Sequence, residues 1–385
     1  MNEDKSARYH RLKRQASLTS LLWAVVLLGG LTWSGGSVFL RSLAESLTTY
    51  VSAHIGSGLS PHAASGFSRA LVVVVYVALL MLVSDLGGLP LAFYAGFLLE
   101  RRYGLSTERV SAWVRDQAKS FVIGLLLASA AAVIVYQMIA WSPGRWWLPA
   151  GLVFAGLIIG LTQVAPVVLL PLFYRIKPLE KDLLRARLLA LAERAGARVL
   201  GAYEWGLSDK TKKANAALAG LGATRRILVS DTMLAEYSDE EIEVVLAHEL
   251  AHHVHGDIWR GIVLESVLIV GGFYVAARVL ESLAPAFHLR DVADAAGLPL
   301  LLLAAGAVSL VAAPARHAMS RAYERRADRF ALALTRNPDA FISAMRRLGA
   351  QNLAEDHPSK LVQWLFYSHP PLRERIAAAE AFSSR

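Results

Sequence analysis

The sequence predicts a mainly α, polytopic helical membrane protein with about six transmembrane helices and a small cytoplasmic α+β segment. Three observations carry that reading. The 385 residues are 55% hydrophobic and only 18% charged, and mean hydropathy is +0.41, too apolar for a soluble chain of this size. Several charge-poor runs are long enough to cross a bilayer. The basic residues that give the net charge of +9 cluster beside those runs, as positive-inside anchors do, and not in aromatic-interleaved patches. Nucleic acid is therefore not an expected partner; the lipid bilayer is.

The first run, 15–40, follows a basic start (Lys5, Arg8, Arg11, Lys13, Arg14) and is longer than the core of a signal peptide, so a retained span is expected. Residues 41–69 read as a polar loop. The second block, 70–99, contains Asp85, Gly87-Gly88 and Pro90 and is expected to bend. Span three is 121–141. Span four, 146–174, has Trp146, Trp147 and Tyr174 at interface depth and Pro166 and Pro171 to kink its end. Spans five and six are 261–277 and 295–313. These give an N-terminal membrane region (1–174), a soluble segment (175–260), a membrane hairpin (261–316) and a C-terminal segment (317–385). Lys and Arg concentrate in the N-terminus, 100–119, 175–260 and the tail, which puts both termini and both soluble segments on the cytoplasmic face. The expected location is the inner membrane of a bacterium, with the chain acting as a monomer.

Within 175–260, residues 179–195 have helical periodicity and stop at Gly196, while 198–205 and 226–230 alternate like strands. Ser238-Asp239-Glu240-Glu241 is a capping-box start for a helix that Gly256 can end. That helix carries His248-Glu249-Leu250-Ala251-His252. Residues four apart lie roughly 5–6 Å apart on one face. His248 and His252 can therefore share a metal ion while Glu249 handles a proton. With no cysteine in the chain, the site must use His and carboxylate ligands, and Zn2+ is the expected ion.

A catalytic zinc site needs a third protein ligand. His253 points off the ligand face, and His255 lies about 10 Å along the axis from His248. Glu324 and Asp328 form an i, i+4 pair in Tyr323-Glu324-Arg325-Arg326-Ala327-Asp328. Glu324 is the expected ligand and Asp328 the residue that orients a histidine, although a solvated helix with Glu–Arg contacts carries the same string. One membrane excursion, spans five and six, separates His252 from Glu324, so both segments return to the same side. The small segment is thus expected to be a zinc metalloprotease domain.

With these motifs in place the chain resembles the integral-membrane zinc CAAX prenyl proteases. The resemblance extends to Leu89-Pro90 through Tyr94, Glu100-Arg101-Arg102-Tyr103-Gly104, Ala165-Pro166 through Phe173, Asn215-Ala216, Ile227 through Leu234, and Tyr367-Ser368-His369-Pro370-Pro371-Leu372 with Glu374-Arg375. It implies a zinc endopeptidase in which Glu249 is the base, His369 and Arg375 lie near the reacting atoms, and Asn215 with Ala216 holds the substrate backbone. The implied substrate is a peptide or protein, prenylated or membrane-inserted. The chain departs from the family where Ala217, Leu218 and Ala219 replace aromatics and Ala251 replaces a common glycine, all along the expected substrate path. The alternatives are a quality-control membrane metalloprotease of the same superfamily and, in another class, a non-enzymatic zinc-binding transporter or sensor, which would have no need of Glu249. Asp85 and Glu265, charges inside apolar runs, are expected to face a cavity, a partner or the membrane edge.

Overall fold

The computed structural model of the protein describes residues 4–55, 61–220 and 225–383. The membrane part contains α1 (Lys5–Trp33), α2 (Gly36–Ile55) and α3 (Pro61–Phe93). A π-helical turn at Tyr94–Leu98 carries α3 into α4 (Leu99–Arg102). Next come α5 (Val110–Trp141) and α6 (Trp147–Val164), which passes through a second π turn, Ala165–Leu169, into α7 (Leu170–Phe173). Among the described residues five helices are long and apolar enough to cross a membrane, or six if the α6–α7 pair, bent by 44°, is one span. The bend falls where Pro166 and Pro171 remove backbone donors.

The soluble segment begins with β1 (Arg175–Pro178), α8 (Asp182–Arg194), β2 (Gly201–Gly206), β3 (Ala216–Ala219) and β4 (Arg226–Ser230). The sheet order is β1-β2-β4-β3, with β2 parallel to β4 and both outer strands antiparallel to their neighbours. Two helices follow, α9 (Asp231–Glu236) and α10 (Asp239–Val254). In α10 the expected capping box is present: the Glu241 N–H donates to Ser238 Oγ at 3.3 Å, and the Ser238 N–H donates to Glu241 Oε2 at 2.9 Å. Gly256, at φ 68°, turns the chain after α10 in a conformation that suits glycine.

α11 (Asp257–Leu283) and α12 (Leu298–Thr335) form the membrane hairpin, followed by α13 (Pro338–Gln351), α14 (Lys360–Phe366) and α15 (Leu372–Ser383). The 38 residues of α12 extend about 57 Å, nearly twice the thickness of a hydrocarbon core. Its second half therefore leaves the membrane, carrying Glu324 and Asp328 with it. The soluble core is filled by Leu188, Ile227, Leu246, Leu250 and Phe341, drawn from α8, β4, α10 and α13.

One expectation is corrected. Residues 41–69 are not a polar loop: α2 runs through Ile55 and α3 starts at Pro61, with 56–60 outside the described residues. Arg41 and Ser37 of α2 are buried through pairing, whereas Ser42, Ser46 and Thr49 stay exposed. Arg41 makes a buried ion pair with Asp294 in the connection between α11 and α12, and Ser37 Oγ donates to the Ala296 carbonyl at 2.6 Å. An apolar stripe is not needed where specific partners satisfy a helix this way.

At the opposite end, α1 is tied to the soluble segment. Buried Glu100 accepts from Tyr9 Oη (2.6 Å), Lys13 Nζ (2.5 Å) and Lys213 Nζ (2.9 Å). Arg14 pairs with Glu355 at 2.5 Å and donates to Tyr367 Oη at 3.2 Å. Of the two charges inside apolar runs, Asp85 is exposed on α3, whereas Glu265 pairs with Arg316 at 3.2 Å. That pair lines a cavity of about 530 Å3, otherwise mostly apolar, among α3, α5, α6, α11 and α12.

Replacing fully buried Phe341 with alanine should destabilise the protein by about 3–5 kcal/mol. Leu183→Ala on the exposed side of α8 should stay within about 0.5 kcal/mol. Thermal unfolding in detergent, followed by circular dichroism, compares the two.

Candidate metal centre

The metal-binding geometry is built by packing α10 against α12. His248 and His252 stand one turn apart on α10 with ring centroids 5.1 Å apart and planes at 85°. Glu324 on α12 points between them, with Oε2 3.2 Å from His248 Nε2 and Oε1 3.5 Å from His252 Nε2. One ligand atom from each residue lies within 4.8 Å of the other two. This group could hold a metal ion.

The far nitrogen of each ring is held in turn. His248 Nδ1 lies 2.9 Å from Asp328 Oδ1, and His252 Nδ1 lies 3.1 Å from Asp257 Oδ2. Donation of both Nδ1–H groups outward leaves the Nε2 lone pairs facing Glu324, the tautomer a metal requires. Each outer carboxylate has an arginine of its own. Arg375 makes a two-point contact with Asp328, Nη2 to Oδ1 at 2.6 Å and Nε to Oδ2 at 2.9 Å. Arg326 pairs with Asp257. The fork matches carboxylate geometry and compensates the burial of the charges.

Electrostatics agree with a cation here. Burial opposes charge on His248, but Asp328 and Glu324 outweigh it and raise the imidazole to about 9. Glu324 Oε2 is buried and makes no hydrogen bond of proper geometry despite the imidazoles around it. An orphaned carboxylate oxygen beside two imidazole nitrogens is a donor set suited to a divalent ion. Glu249 lies next to His248 on α10, where burial pushes its carboxyl up.

The remaining expected residues are distributed around this centre. His369, in the turn before α15, is exposed and brings Nδ1 to 2.8 Å from Glu324 Oε2. Arg375 is engaged with Asp328, and its Nη2 lies 3.3 Å from His248 Nδ1. Asn215 is exposed just before β3; its carbonyl accepts from the Ser230 N–H at 2.9 Å and its own N–H donates to Ser230 Oγ at 3.0 Å. Ala216 is buried at the start of β3. Among the described residues β3 is an outer strand, paired only with β4. Because Asn215 and Ser230 form a hydrogen-bonded pair, antiparallel alternation turns the peptide groups of Ala216 and Leu218 toward the free edge. His253 Nε2 contacts the Leu218 carbonyl at 3.3 Å, so the histidine that lies off the ligand face fastens α10 to that edge.

Asp257 and Arg326 were not singled out by sequence reasoning. An acidic residue opening a helix directly after a left-handed glycine, five positions beyond His252, was the available signal for Asp257. Arg326 had none, because its partner lies 69 residues away.

Known protein families match this chain from residue 2 to residue 383. Residues 178–383 match peptidase family M48, and residues 2–175 match the CAAX prenyl protease N-terminal family, described as five membrane helices. The chain belongs to peptidase family M48. It is a multi-pass membrane metalloprotease acting on a peptide or protein substrate. It is 33% identical to the metalloprotease YhfN of Bacillus subtilis over 81% of this chain and 74% of that protein. It is 25% identical to CAAX prenyl protease 1 of Saccharomyces cerevisiae over 80% and 72% of the two chains. The fold is similar to the crystal structure of Ste24p from S. mikatae, with a TM-score of 0.81 at 23% identity, covering 97% of this chain and 87% of that one. This M48 chain therefore shares its membrane scaffold as well as its peptidase segment with those proteins.

Asp257→Asn should weaken metal affinity about 10- to 100-fold, because the His252 ring loses its charged anchor while every proposed ligand remains. Competition titration against a zinc chelator, with helicity checked in parallel, measures the change.

Proposed function

We propose that the resident metal is zinc, held by His248, His252 and Glu324, and that the protein is an endopeptidase cutting substrates at the cytoplasmic face of a bacterial inner membrane. The observation that carries this reading is the arrival of Glu324 between the two histidines from a helix on the far side of a membrane hairpin. A bound zinc ion would polarise the scissile carbonyl and lower the pKa of a bound water.

The chain's own groups take the other roles. Glu249, beside the ligands and used by none of the contacts that hold them, removes a proton from the attacking water. As the carbon–oxygen bond forms and the carbon–nitrogen bond breaks, it returns that proton to the leaving amine. His369, at the rim, donates a hydrogen bond to the developing oxyanion. Asp328 and Asp257 fix the ligand tautomers, and Arg375 acts through Asp328. The free edge of β3 at Asn215 and Ala216 aligns an extended substrate by strand addition, with small Ala217 and Ala219 leaving its course open.

Substrates bearing a hydrocarbon chain, including prenylated C-termini, are supported by the Glu265–Arg316 cavity, whose size falls within the roughly 300–1,000 Å3 of small-molecule sites. Quality-control cleavage of membrane-inserted chains remains the second reading, favoured by the loss of aromatics at 217–219. A farnesylated and an unmodified peptide of one sequence, offered side by side, separate them: at least tenfold higher kcat/KM for the lipidated peptide supports the first, and equal cutting the second.

Glu249→Gln should keep zinc at one per chain and lower kcat by about 10^2- to 10^4-fold. Glu324→Ala should lose both zinc and cleavage. Metal analysis and peptide cleavage on the same preparations test the pair, and unimpaired cleavage by Glu249→Gln would remove that residue from the mechanism.

A further inference from the structure

α14 is a short helix, Lys360-Leu361-Val362-Gln363-Trp364-Leu365-Phe366, with five apolar residues, one lysine and no acid. Its start is capped by Ser359, whose Oγ accepts from the Val362 N–H at 3.3 Å. Leu361, Trp364 and Leu365 share one face at i, i+3, i+4 spacing. Leu361 is 63% exposed and Trp364 52% exposed. On the surface of a water-soluble domain such a face would lie bare.

The depth of α14 is set by Arg321 of α12, whose Nη1 donates to the Gln363 carbonyl at 3.0 Å and to the Tyr367 carbonyl at 2.6 Å. About 20 helical residues span the hydrocarbon core. Counted from Leu298, where α12 begins, they end near residue 317. Arg321 then lies one turn further, about 6 Å beyond the hydrocarbon and within the headgroup layer. The same count backwards from Leu283 on α11 ends near residue 264, leaving Trp259, 51% exposed, in the same layer. Tryptophan is enriched at that depth.

We infer that α14 docks on the bilayer, with Leu361 and Trp364 inserted at the boundary between headgroups and acyl chains and Lys360 toward lipid phosphates. The occupant of the bare face is lipid. The consequence is positional: α14 runs directly into the turn bearing His369, so membrane contact holds that turn over Glu324 and keeps the metal centre against the membrane surface. The docking itself does not depend on the identity of the metal or the substrate.

The absence of cysteine permits the test on the full chain. Leu361→Cys and Trp364→Cys, each carrying a nitroxide, are placed in mixed phosphatidylcholine and phosphatidylglycerol vesicles beside two controls. Leu126→Cys on α5 and Leu183→Cys on α8 are 67% and 73% exposed, the first within a span and the second in the soluble segment. Collision of the nitroxide with oxygen relative to a water-soluble nickel chelate reports depth. Both α14 positions should give ratios several-fold above Leu183→Cys and approaching Leu126→Cys. A ratio equal to that of Leu183→Cys at either position would overturn the proposal.

Discussion

The contact between α10 and α12 is the constraint on which the rest of this structure depends. Two imidazoles and a carboxylate meet because α10 is locked at its start by the Ser238–Glu241 capping box, and α12 is long enough to leave the membrane still helical. A shorter α12 would place Glu324 inside the bilayer, where a carboxylate is costly. The charge pattern around the centre is balanced in the same way. Asp328 and Asp257 each back one of the two histidines, and each is matched by an arginine, leaving Glu324 as the carboxylate that faces the imidazole nitrogens. A buried carboxylate without such a partner would protonate and release its histidine.

The membrane helices also position the site. The hairpin of α11 and α12 crosses the bilayer between the two ligand-bearing segments and is pinned at its far end by the Arg41–Asp294 pair. At the near end α1 returns to the soluble segment through Glu100 and Glu355. One of these hubs leads to Lys213, two residues before Asn215; the other leads to Tyr367, two residues before His369. The two flanks of the proposed substrate path are thus tied to α1.

Features that rest on local physics were legible in the sequence. The capping box at Ser238 and the strand at Arg226–Ser230 depend on residues a few positions apart and stand as read; the H-E-x-x-H spacing sets His248 and His252 one turn apart on α10. Glu324 was reachable because an i, i+4 carboxylate pair has a face and a hairpin has a parity. α2 was not legible: Arg41 and Ser37 look solvated until Asp294 and the Ala296 carbonyl, far along the chain, accept from them. Arg326 and the Glu100 hub were hidden for the same reason, since one sequence does not disclose which distant charges will meet.

In the proposed centre two imidazole nitrogens and one carboxylate oxygen bind a single zinc ion. X-ray absorption at the zinc edge of the purified protein tests it most directly, read alongside Glu324→Gln. Two nitrogen ligands near 2.0–2.1 Å and oxygen near 2.0–2.2 Å are expected in a four-coordinate shell, with the shell altered in the variant. A wild-type shell with other than two histidines, or one unchanged by Glu324→Gln, would contradict it.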